Sequence, residues 1–362
     1  AFQLYSSGTT GQPKGALITH RAAMQNAWVA GNRLHLDEHD RLTTMVPLFH
    51  CAGVIGAILN ALVHGAAYVG VPAFEPEAMF RVIEAERCTW LTAVPTAFAA
   101  MLQHPARGRY DLTSLRVGTC GGADVPPALI ERCAAEFPIP GLVQVYGQTE
   151  GTCFTSLCTA DDTLRYRTAG RPLEGLEARI TDPQTRAVLP TGEIGEIELR
   201  GATLMSGYFE RAAETRETMD AEGWLRTGDL GRLHASGHIE LAGGRLKDMI
   251  IRGGENVYAV EVENVLLQHP DVAAVAVFGL PDAYYGEIVA AAIRPRGEAP
   301  AIDELIRFCQ ARIARYKAPT KLFCVEHFPL TASGKIQKRA LRELAVSGAL
   351  ALYKEIAGDR KA

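Results

Sequence analysis

The stretch SSGTTGQPKG, residues 6–15, follows a short predicted strand and carries three glycines, four hydroxyl side chains and one lysine. Glycines let backbone N–H groups face phosphate oxygens, hydroxyl groups add donors, and Lys14 supplies a positive charge. The stretch therefore predicts a phosphate-binding loop rather than a flexible Ser/Gly turn, because so many hydroxyl groups surround a single lysine. It is not a Walker loop, which needs glycine at the position of Pro13 and Ser or Thr at the position of Gly15.

Downstream of this loop, short apolar runs alternate with helical patterns. Each run precedes a glycine, a proline or a polar turn, and this alternation predicts a largely parallel sheet with ligands at the carboxyl ends of its strands. We expect Thr19 to cap one helix and residues 126–127, both proline, to begin another. The predicted strands are residues 43–46, 66–71, 90–94, 115–119 and 142–146.

The sequence pattern changes twice further along the chain. After Gly170, glycine-punctuated runs with alternating apolar residues predict an antiparallel sheet or a small barrel. From about Lys247 a mixed α and β pattern predicts a separate unit, so we place the boundary between domains 1–246 and 247–362. The elements predicted in the second domain are a helix near residues 260–267, strands at residues 272–278 and 288–293, and an amphipathic helix carrying Leu305, Ile306, Cys309 and Ile313.

Composition limits the classes of function. The 362-residue chain has 48% hydrophobic and 22% charged residues, as expected for a folded protein with more than one domain, and its net charge of −4 gives no attraction for nucleic acid. None of its eight cysteines lies in a CxxC pair, which argues against zinc and for a reducing, cytoplasmic location. The apolar stretch 53–71 is interrupted and too short to span a membrane, which leaves only peripheral membrane contact open.

The loop at residues 6–15 is followed by six further motifs. Together they closely resemble, in order, the signatures of the acyl-adenylate-forming family, which contains acyl-CoA synthetases, luciferases and the adenylation domains of peptide synthetases. The resemblance covers essentially the whole chain and is closest to medium- and long-chain fatty-acyl-CoA ligases. The further motifs are PLFH at residues 47–50, GGA at 121–123, YGQTE at 146–150, TGD at 227–229, GRLKDMIIRGGEN at 244–256 and SGKI at 333–336.

The resemblance implies an α/β fold with two domains. The large N-terminal adenylation domain combines a parallel-sheet part with a smaller β-rich subdomain, and the small C-terminal domain is mobile and α+β. Lys247 matches the hinge about which the C-terminal domain rotates in the family. Family members carry a substantial portion before the phosphate loop, so we expect domain 1–246 to be truncated at its N-terminus. Residues 1–5 have neither the basic region nor the cleavage site of an export signal.

The same resemblance implies a reaction in two steps. A carboxylic acid and ATP form an acyl-adenylate and pyrophosphate, and coenzyme A then takes the acyl group and releases AMP. Because the carboxylate and the α-phosphate are both anions, their repulsion must be cancelled, and Mg²⁺ near Glu150 does part of this in the family. Thr149 would donate to the adenylate phosphate, and Lys335 would bridge the carboxylate and the α-phosphate. The implied catalytic residues are His50, Thr149, Glu150 and Lys335, with Glu150 as metal ligand.

Binding residues follow from the same motifs. Tyr146 would pack against adenine, Asp229 would accept hydrogen bonds from the ribose with help from Arg245, and residues 121–123 would line the slot between nucleotide and acyl group. After domain rotation, residues 253–254 would line the pantetheine tunnel. The residues implied for binding ATP or coenzyme A are Ser6, Ser7, Gly8, Thr9, Thr10, Lys14, Gly121, Gly122, Ala123, Tyr146, Gly147, Asp229, Arg245, Gly253 and Gly254.

Three of these assignments have ordinary alternatives. His50 ends an apolar run, and by itself this position is more typical of a core or helix-cap histidine. The resemblance assigns it a gate between the acyl pocket and the thiol tunnel rather than acid–base chemistry. Without context, the loop around Lys335 would be a solvated surface turn, and the TGD motif at residues 227–229 would be an ordinary β-turn.

The predicted function is an ATP-dependent acyl-CoA ligase that uses ATP, Mg²⁺ and coenzyme A. Small apolar residues at 50–57, 118–120 and 154–156 favour a fatty or aryl acid as the substrate. Two alternatives remain open: a module that loads a carrier protein, and a nucleotide-binding fragment without catalysis. No phosphopantetheine-type serine motif follows Lys335, which favours the free-standing ligase. The oligomeric state is left open.

Overall fold

The chain forms two compact units, Ala1–Leu241 and Ala242–Ala362. The computed structural model describes residues 1–6, 13–71, 75–123, 125–331 and 335–350, without the side chains of residues 243–245 and 247. Within this part of the chain, no helix combines the length and the apolar character needed to cross a membrane. The predicted boundary after residue 246 separates the residues that would rotate about Lys247 from those that would not. It stays a prediction.

An antiparallel hairpin begins the first unit. Its strands are β1 (Phe2–Ser6) and β2 (Lys14–Ile18), and Ser6 pairs with Lys14 in the register. The two ends of the predicted phosphate-binding loop therefore lie side by side. Residues 7–12 of that loop, which include the predicted binding residues Ser7, Gly8, Thr9 and Thr10, lie outside the described residues.

Helix α1 (His20–Arg33) follows the hairpin directly. Its first turn is capped by Thr19, whose hydroxyl oxygen accepts a hydrogen bond from the Ala22 amide at 3.0 Å. Such a cap satisfies one of the backbone donors that a helix leaves unpaired at its start. The predicted cap is confirmed.

A seven-stranded sheet forms the centre of the first unit. Its strands are β3 (Arg41–Thr44), β4 (Ala67–Gly70), β5 (Trp90–Ala93), β6 (Val117–Gly121), β7 (Gly141–Tyr146), β8 (Ser156–Leu157) and β9 (Arg171–Pro172). The order is β4-β3-β5-β6-β7-β8-β9, parallel as far as β7 and antiparallel beyond it. Every residue of β7 is buried, as expected for a strand covered on both faces. The predicted βα alternation is confirmed.

Helices connect the parallel strands. Proline occupies the first position of three of them, where its missing N–H costs no hydrogen bond and its fixed φ suits a helix. One of these begins at Pro127, as the sequence predicts. The helices are α2 (Cys51–Gly53), a π-helical stretch Val54–Leu59, α3 (Asn60–Val63), α4 (Pro76–Glu86), α5 (Pro95–Gln103) and α6 (Pro127–Glu136).

The β-rich part of the chain that follows Gly170 is a four-stranded sheet, in agreement with the sheet alternative of the prediction. Its order is β10 (Leu176–Thr181), β11 (Gly195–Gly201), β12 (Leu225–Leu233) and β13 (Ile239–Arg245), and the first three strands pair antiparallel. Helix α7 (Ala212–Thr218) lies between β11 and β12 in the chain. Apolar residues of β10 to β13 share one hydrophobic core with α1 and β7.

The second unit is an α+β sandwich with cores on both faces of its sheet. Its elements are β14 (Ile250–Arg252), β15 (Glu255–Val257), α8 (Ala259–Leu266), β16 (Val272–Asp282), β17 (Gly286–Pro295), α9 (Ile302–Gln310), β18 (Lys321–Cys324) and α10 (Lys338–Val346). The sheet has the order β15-β14-β17-β16, and β18 pairs with β17 in parallel. Ile313 was predicted to belong to the amphipathic helix, but α9 ends at Gln310; Ile313 still packs against the same core.

Candidate active site

Glu150 lies in a 3₁₀ turn, Thr149–Gly151, three residues beyond the end of β7. Its carboxylate oxygen Oε1 accepts two hydrogen bonds, from Ser6 Oγ at 2.9 Å and from the Tyr208 hydroxyl at 2.8 Å. Its backbone oxygen accepts from the Met205 amide at 2.9 Å. These contacts hold the carboxylate beside the last residue of β1, where the predicted phosphate-binding loop begins.

Lys14 is placed at the other end of that loop. Its side chain is 8% exposed, and Nζ lies 5.3 Å from the centre of the Tyr208 ring. A buried ammonium group over an aromatic face is stabilised by the ring quadrupole. Lys14 therefore adds a fixed positive charge next to the tyrosine that holds Glu150.

The geometry around Glu150 fits a hard divalent cation. Both hydroxyl donors converge on Oε1, and among the described residues no hydrogen bond or ion pair involves Oε2. A carboxylate with one oxygen fixed and the other available is an appropriate ligand for Mg²⁺, which prefers oxygen ligands and retains several of its waters. Among the described residues, Glu150 would be the protein ligand, as is common where substrate phosphates complete the coordination.

A second set of contacts begins four residues before Glu150. The Tyr146 hydroxyl donates to Asp229 Oδ2 at 2.8 Å, which joins the end of β7 to strand β12. Thr227, buried in the same strand, accepts a hydrogen bond from the Asp229 amide at 3.1 Å and so fixes the backbone there. The structure thus brings together two residues that the motifs assign to adenine and ribose. Arg245 lies at the end of β13, and its side chain is outside the described part.

Two motif glycines are required by close backbone approach. A Cβ at Gly147 would lie 1.7 Å from the Cys153 carbonyl oxygen, and one at Gly121 would lie 2.5 Å from the Val145 carbonyl oxygen. Any larger residue would therefore separate these segments. Gly122 has φ +79°, a left-handed conformation that favours glycine, and it and Ala123 are exposed at the end of β6.

His50 makes the contact expected of a helix cap. Its Nδ1 accepts a hydrogen bond from the Ala52 amide at 3.2 Å at the start of α2. The same nitrogen lies 3.7 Å from Cys51 Sγ, and Thr149 Oγ1 lies 4.0 Å from that sulfur. His50 therefore caps a helix in this structure, as the ordinary alternative to the gate role predicts. The gate role, which a capping side chain can also fill, stays a prediction.

The remaining predicted residues belong to the second unit. Lys335 makes two hydrogen bonds with Thr331, from Thr331 N to Lys335 O at 2.8 Å and from Lys335 N to Thr331 Oγ1 at 3.1 Å. Gly253 and Gly254 form the turn between β14 and β15 with φ values of +60° and +88°, which explains glycine at both positions. The Gly253 amide donates to the Tyr285 carbonyl at 2.8 Å.

Comparison with known proteins settles the family. Residues 1–209 match the family model described as AMP-binding enzyme, and residues 261–335 match the AMP-binding enzyme C-terminal domain. The chain belongs to the AMP-binding enzyme family. The motif resemblance is confirmed.

Relatives of this AMP-binding enzyme share its sequence at moderate identity. YngI of Bacillus subtilis is 40% identical over 345 residues, and the medium-chain acyl-CoA ligase ACSF2, mitochondrial, of Mus musculus is 38% identical over 347 residues. Each alignment covers 94% of this chain, but it covers only 63% of YngI and 56% of ACSF2. The chain therefore spans about three fifths of the curated relatives it matches.

A solved structure shows the same fold. The o-succinylbenzoate CoA synthetase MenE of Bacillus subtilis, in complex with the acyl-adenylate intermediate OSB-AMP, superposes with a TM-score of 0.83 at 33% identity. The match covers 94% of this chain and 68% of that one. The predicted α/β fold class of an adenylate-forming enzyme is thereby confirmed.

Tyr208 contacts the candidate site but is not among the residues predicted from the sequence. It lies 58 positions from Glu150, in the loop before α7, and nothing in its local sequence distinguishes it from the other ten tyrosines. The cluster Cys158, Asp162 and His238 was also missed; their side-chain ligand atoms lie within 4.8 Å of one another. His238 Nε2 and Asp162 Oδ2 are hydrogen-bonded at 2.5 Å, which ties the turn between β12 and β13 to the segment after β8.

Proposed function

We propose that this protein is an ATP-dependent acyl-CoA ligase. It joins a carboxylic acid to the α-phosphate of ATP with release of pyrophosphate, and then transfers the acyl group to coenzyme A with release of AMP. The observation that carries the proposal is the pair of contact sets at the end of β7. Glu150 with Ser6 and Tyr208 suits the phosphates, and Tyr146 with Asp229 suits the nucleoside.

The first half-reaction needs charge cancellation at the phosphates. An oxygen of the substrate carboxylate attacks the α-phosphorus, and the bond to the bridging oxygen of pyrophosphate breaks. Lys14 supplies fixed positive charge, and Thr149 donates its hydroxyl proton to the phosphate of the adenylate. Mg²⁺, when bound, neutralises the developing phosphate charge, and Glu150 Oε2 is the protein atom available to hold it.

The nucleoside is positioned by the second contact set. Tyr146 presents its ring to adenine, and its hydrogen bond to Asp229 fixes the orientation of that ring. Asp229 accepts hydrogen bonds from the ribose hydroxyls, and its own backbone is held by Thr227. Residues 121–123 carry little side chain beyond the backbone, so nucleotide and acyl group can approach each other beside β6.

The second unit supplies the groups that change between half-reactions. Lys335 bridges the carboxylate and the α-phosphate during adenylation, because a compact charge on a flexible stem suits a transient contact. Rotation about Lys247 then presents Gly253 and Gly254 to the pantetheine arm of coenzyme A, whose thiol attacks the acyl carbonyl carbon and displaces AMP.

The substrate in this proposal is a fatty or aryl acid. Gly56 lies against Phe154 and Cys153: a Cβ there would lie 3.0 Å from the Phe154 ring and 3.1 Å from Cys153 Sγ. Gly56, Phe154 and Cys153 thus form an apolar and closely packed surface, which disfavours a charged acyl group in the proposed acyl pocket. ACSF2 acts on medium-chain acids by its name, and MenE on o-succinylbenzoate. A cytoplasmic location belongs to the same proposal, supported by eight cysteines that are all free thiols.

The test is pyrophosphate release from ATP and Mg²⁺ with a panel of acids, each with and without coenzyme A. Fatty or aryl acids should release pyrophosphate, and acyl-CoA should accumulate only with the thiol present. ATP binding without pyrophosphate release for any acid would overturn the proposal in favour of a nucleotide-binding fragment. Acyl transfer to a phosphopantetheinylated carrier protein but not to coenzyme A would identify the loading module instead.

A further inference from the structure

Three potential metal ligands from separate parts of the first unit lie close together. Each of Cys158, Asp162 and His238 offers one ligand atom, and the three atoms lie within 4.8 Å of one another. Cys158 and Asp162 belong to the segment after β8, whereas His238 immediately precedes β13, 76 positions beyond Asp162. Because these ligands are spread over the chain, the lack of CxxC pairs in the sequence does not bear on them.

The backbone brings the two segments together without a metal. The Ala169 amide donates to the Ile239 carbonyl at 2.9 Å, and the Ile239 amide donates to the Gly170 carbonyl at 2.8 Å. The residue next to His238 is therefore joined to the end of the segment that begins at Cys158. The fold itself thus holds the three side chains near one another.

Further hydrogen bonds orient two of the three ligands. His238 Nδ1 is hydrogen-bonded to Ser236 Oγ at 2.8 Å, while Nε2 is directed at Asp162 Oδ2, 2.5 Å away. Asp162 Oδ1 accepts from the Leu164 amide at 2.8 Å. Partners of this kind fix the orientation of ligating histidines and carboxylates. Cys158 and His238 are buried, but the Asp162 side chain is 18% exposed, so an ion can enter from the side of the carboxylate.

A second histidine–carboxylate pair around the same turn lacks these features. His234 Nε2 lies 2.5 Å from Glu240 Oε2, the same separation as between His238 and Asp162. Glu240 also forms an ion pair with Arg232 at 2.6 Å, so its charge is already compensated. Among the described residues, no third histidine, cysteine or carboxylate completes a set with this pair, and no arginine or lysine forms an ion pair with Asp162.

We propose that Cys158, Asp162 and His238 form a zinc-binding site. A set of one sulfur, one nitrogen and one oxygen ligand suits Zn²⁺, whereas Mg²⁺ and Ca²⁺ take oxygen ligands. With Zn–S of about 2.3 Å and Zn–N or Zn–O of about 2.0–2.2 Å, neighbouring ligand atoms of a tetrahedral site are about 3.3–3.6 Å apart. The contact between His238 and Asp162 opens by about 1 Å to reach this geometry, and Cys158 moves inward by at most about 1 Å. Water or the Thr168 hydroxyl, 3.6 Å from Cys158 Sγ, completes the coordination.

Zinc uptake displaces a proton and stabilises the first unit. Burial, reinforced by the charge of Asp162, raises the pKa of the Cys158 thiol to about 11, so the thiol keeps its proton at neutral pH without metal. Zn²⁺ binds the sulfur as thiolate and releases that proton to solvent, and His238 retains its proton on Nδ1, where Ser236 Oγ accepts it. Because the three ligands lie together only in the folded chain, bound zinc favours the folded state. This inference does not depend on the proposed ligase function.

The experiment is a titration of the metal-free protein with Zn²⁺ in competition with a chromophoric chelator. We expect one equivalent to bind with a Kd below about 1 μM. Cys158→Ser and His238→Gln should each weaken binding at least about tenfold, since even the outer partners of a ligand contribute this much. Cys133→Ser, a buried cysteine elsewhere, and His234→Gln, the histidine of the second pair, should bind as the parent does. At a hundred times its Kd, Zn²⁺ should raise the unfolding midpoint of the parent by roughly 5 °C.

X-ray absorption on the zinc-loaded parent keeps the test independent of how the variants fold. The zinc edge should show one sulfur at about 2.3 Å and nitrogen or oxygen at about 2.0–2.2 Å. A shell with no sulfur, or with two or more, would place the ion elsewhere and overturn the proposal. Failure to take zinc from the chelator, or unchanged affinity in Cys158→Ser, would do the same.

Discussion

At the scale of single residues, Glu150 gives the sharpest test of the site. Glu150→Gln keeps the shape and can still accept from Ser6 and Tyr208, but it removes the charge that Mg²⁺ needs. We expect adenylate formation to fall by about 100-fold or more, equivalent to about 2.7 kcal/mol, at an unchanged unfolding midpoint. Glu222→Gln, an exposed turn position, serves as control. A rate equal to the parent's at saturating Mg²⁺ would show that Glu150 is not the ligand.

Tyr208→Phe tests whether the hydroxyl that holds Glu150 matters to catalysis. The change keeps the ring beside Lys14 and removes one donor to a carboxylate, a contact worth about 1.5–3 kcal/mol. We expect adenylation to slow by roughly tenfold and its Mg²⁺ requirement to rise. A matched control exists because the Tyr110 hydroxyl donates to Glu77 Oε1 at 2.9 Å outside the site. If Tyr110→Phe slows the reaction as much, the effect is one of stability rather than of the site.

The candidate site residues named from the sequence all belong to contiguous motifs. Glu150, Tyr146 and Asp229 could be named because each motif fixes residue types at neighbouring positions. Tyr208 could not, since its role depends on folding the loop before α7 onto the end of β7. A contact between two segments that are far apart in the chain produces no recognisable pattern in the local sequence of either segment.

At the scale of elements, Gly147 shows how closely the site segment folds back on itself. A methyl group at this position would lie 1.7 Å from the Cys153 carbonyl oxygen, and backbone atoms on both sides leave no flexible side chain to move. Gly147→Ala should therefore destabilise the protein by about 3 kcal/mol, the upper range for overpacking, or prevent folding. Urea unfolding measures this. Gly108→Ala, with no atom within 4 Å of the added Cβ, should change stability little, and equal losses in the two would contradict the steric account.

The junction of α1, β3 and β6 gives a pH-dependent prediction. Burial alone would raise the pKa of Asp40, but hydrogen bonds from Arg116, Thr89 and the Asp37 amide outweigh it and lower that pKa. The folded pKa thus lies below the unfolded value of about 3.9, so the carboxylate stabilises the fold above about pH 4. This contribution is lost as the pH falls through the lower, folded value. Asp40→Asn should reduce stability at neutral pH and flatten its decline in acid; parallel acid limbs for variant and parent would contradict the assignment.

Helices and strands were predicted correctly where a single physical signal, such as an apolar run or a helix cap, determined the element. Largely apolar runs such as the one that becomes β7 admit few alternatives, and the cap at Thr19 combines a favoured residue with the helix that follows it. The π-helical stretch Val54–Leu59 was not predicted, because its apolar composition fits either helix type and packing against the sheet selects between them. The end of α9 at Gln310 was missed because the apolar periodicity continues to Ile313.

At the scale of the whole molecule, the roles proposed for the two units depend least on local sequence. Each unit is specified by its own cores, and composition changes near the junction were visible in the sequence. Which residue acts as the hinge is a property of two conformations, and one folded state does not report it. The prediction for Lys247 therefore has to be tested through function, and Lys335 offers the means.

Lys335→Ala separates the two half-reactions if the second unit rotates between them. Loss of the charge that bridges the carboxylate and the α-phosphate should slow adenylation by roughly 100-fold, about 2.7 kcal/mol of transition-state stabilisation. Thioester formation from supplied acyl-adenylate should proceed near the parent rate, because in that orientation Gly253 and Gly254, not the lysine, face the thiol. Both rates are measured on one preparation, with Lys321→Ala, an exposed lysine of the same unit, as control. In both hydrogen bonds with Thr331, Lys335 takes part through its backbone groups, so the substitution should leave these two bonds in place. Equal losses in both half-reactions would assign the lysine to general binding or stability, and rotation about Lys247 would lose its support.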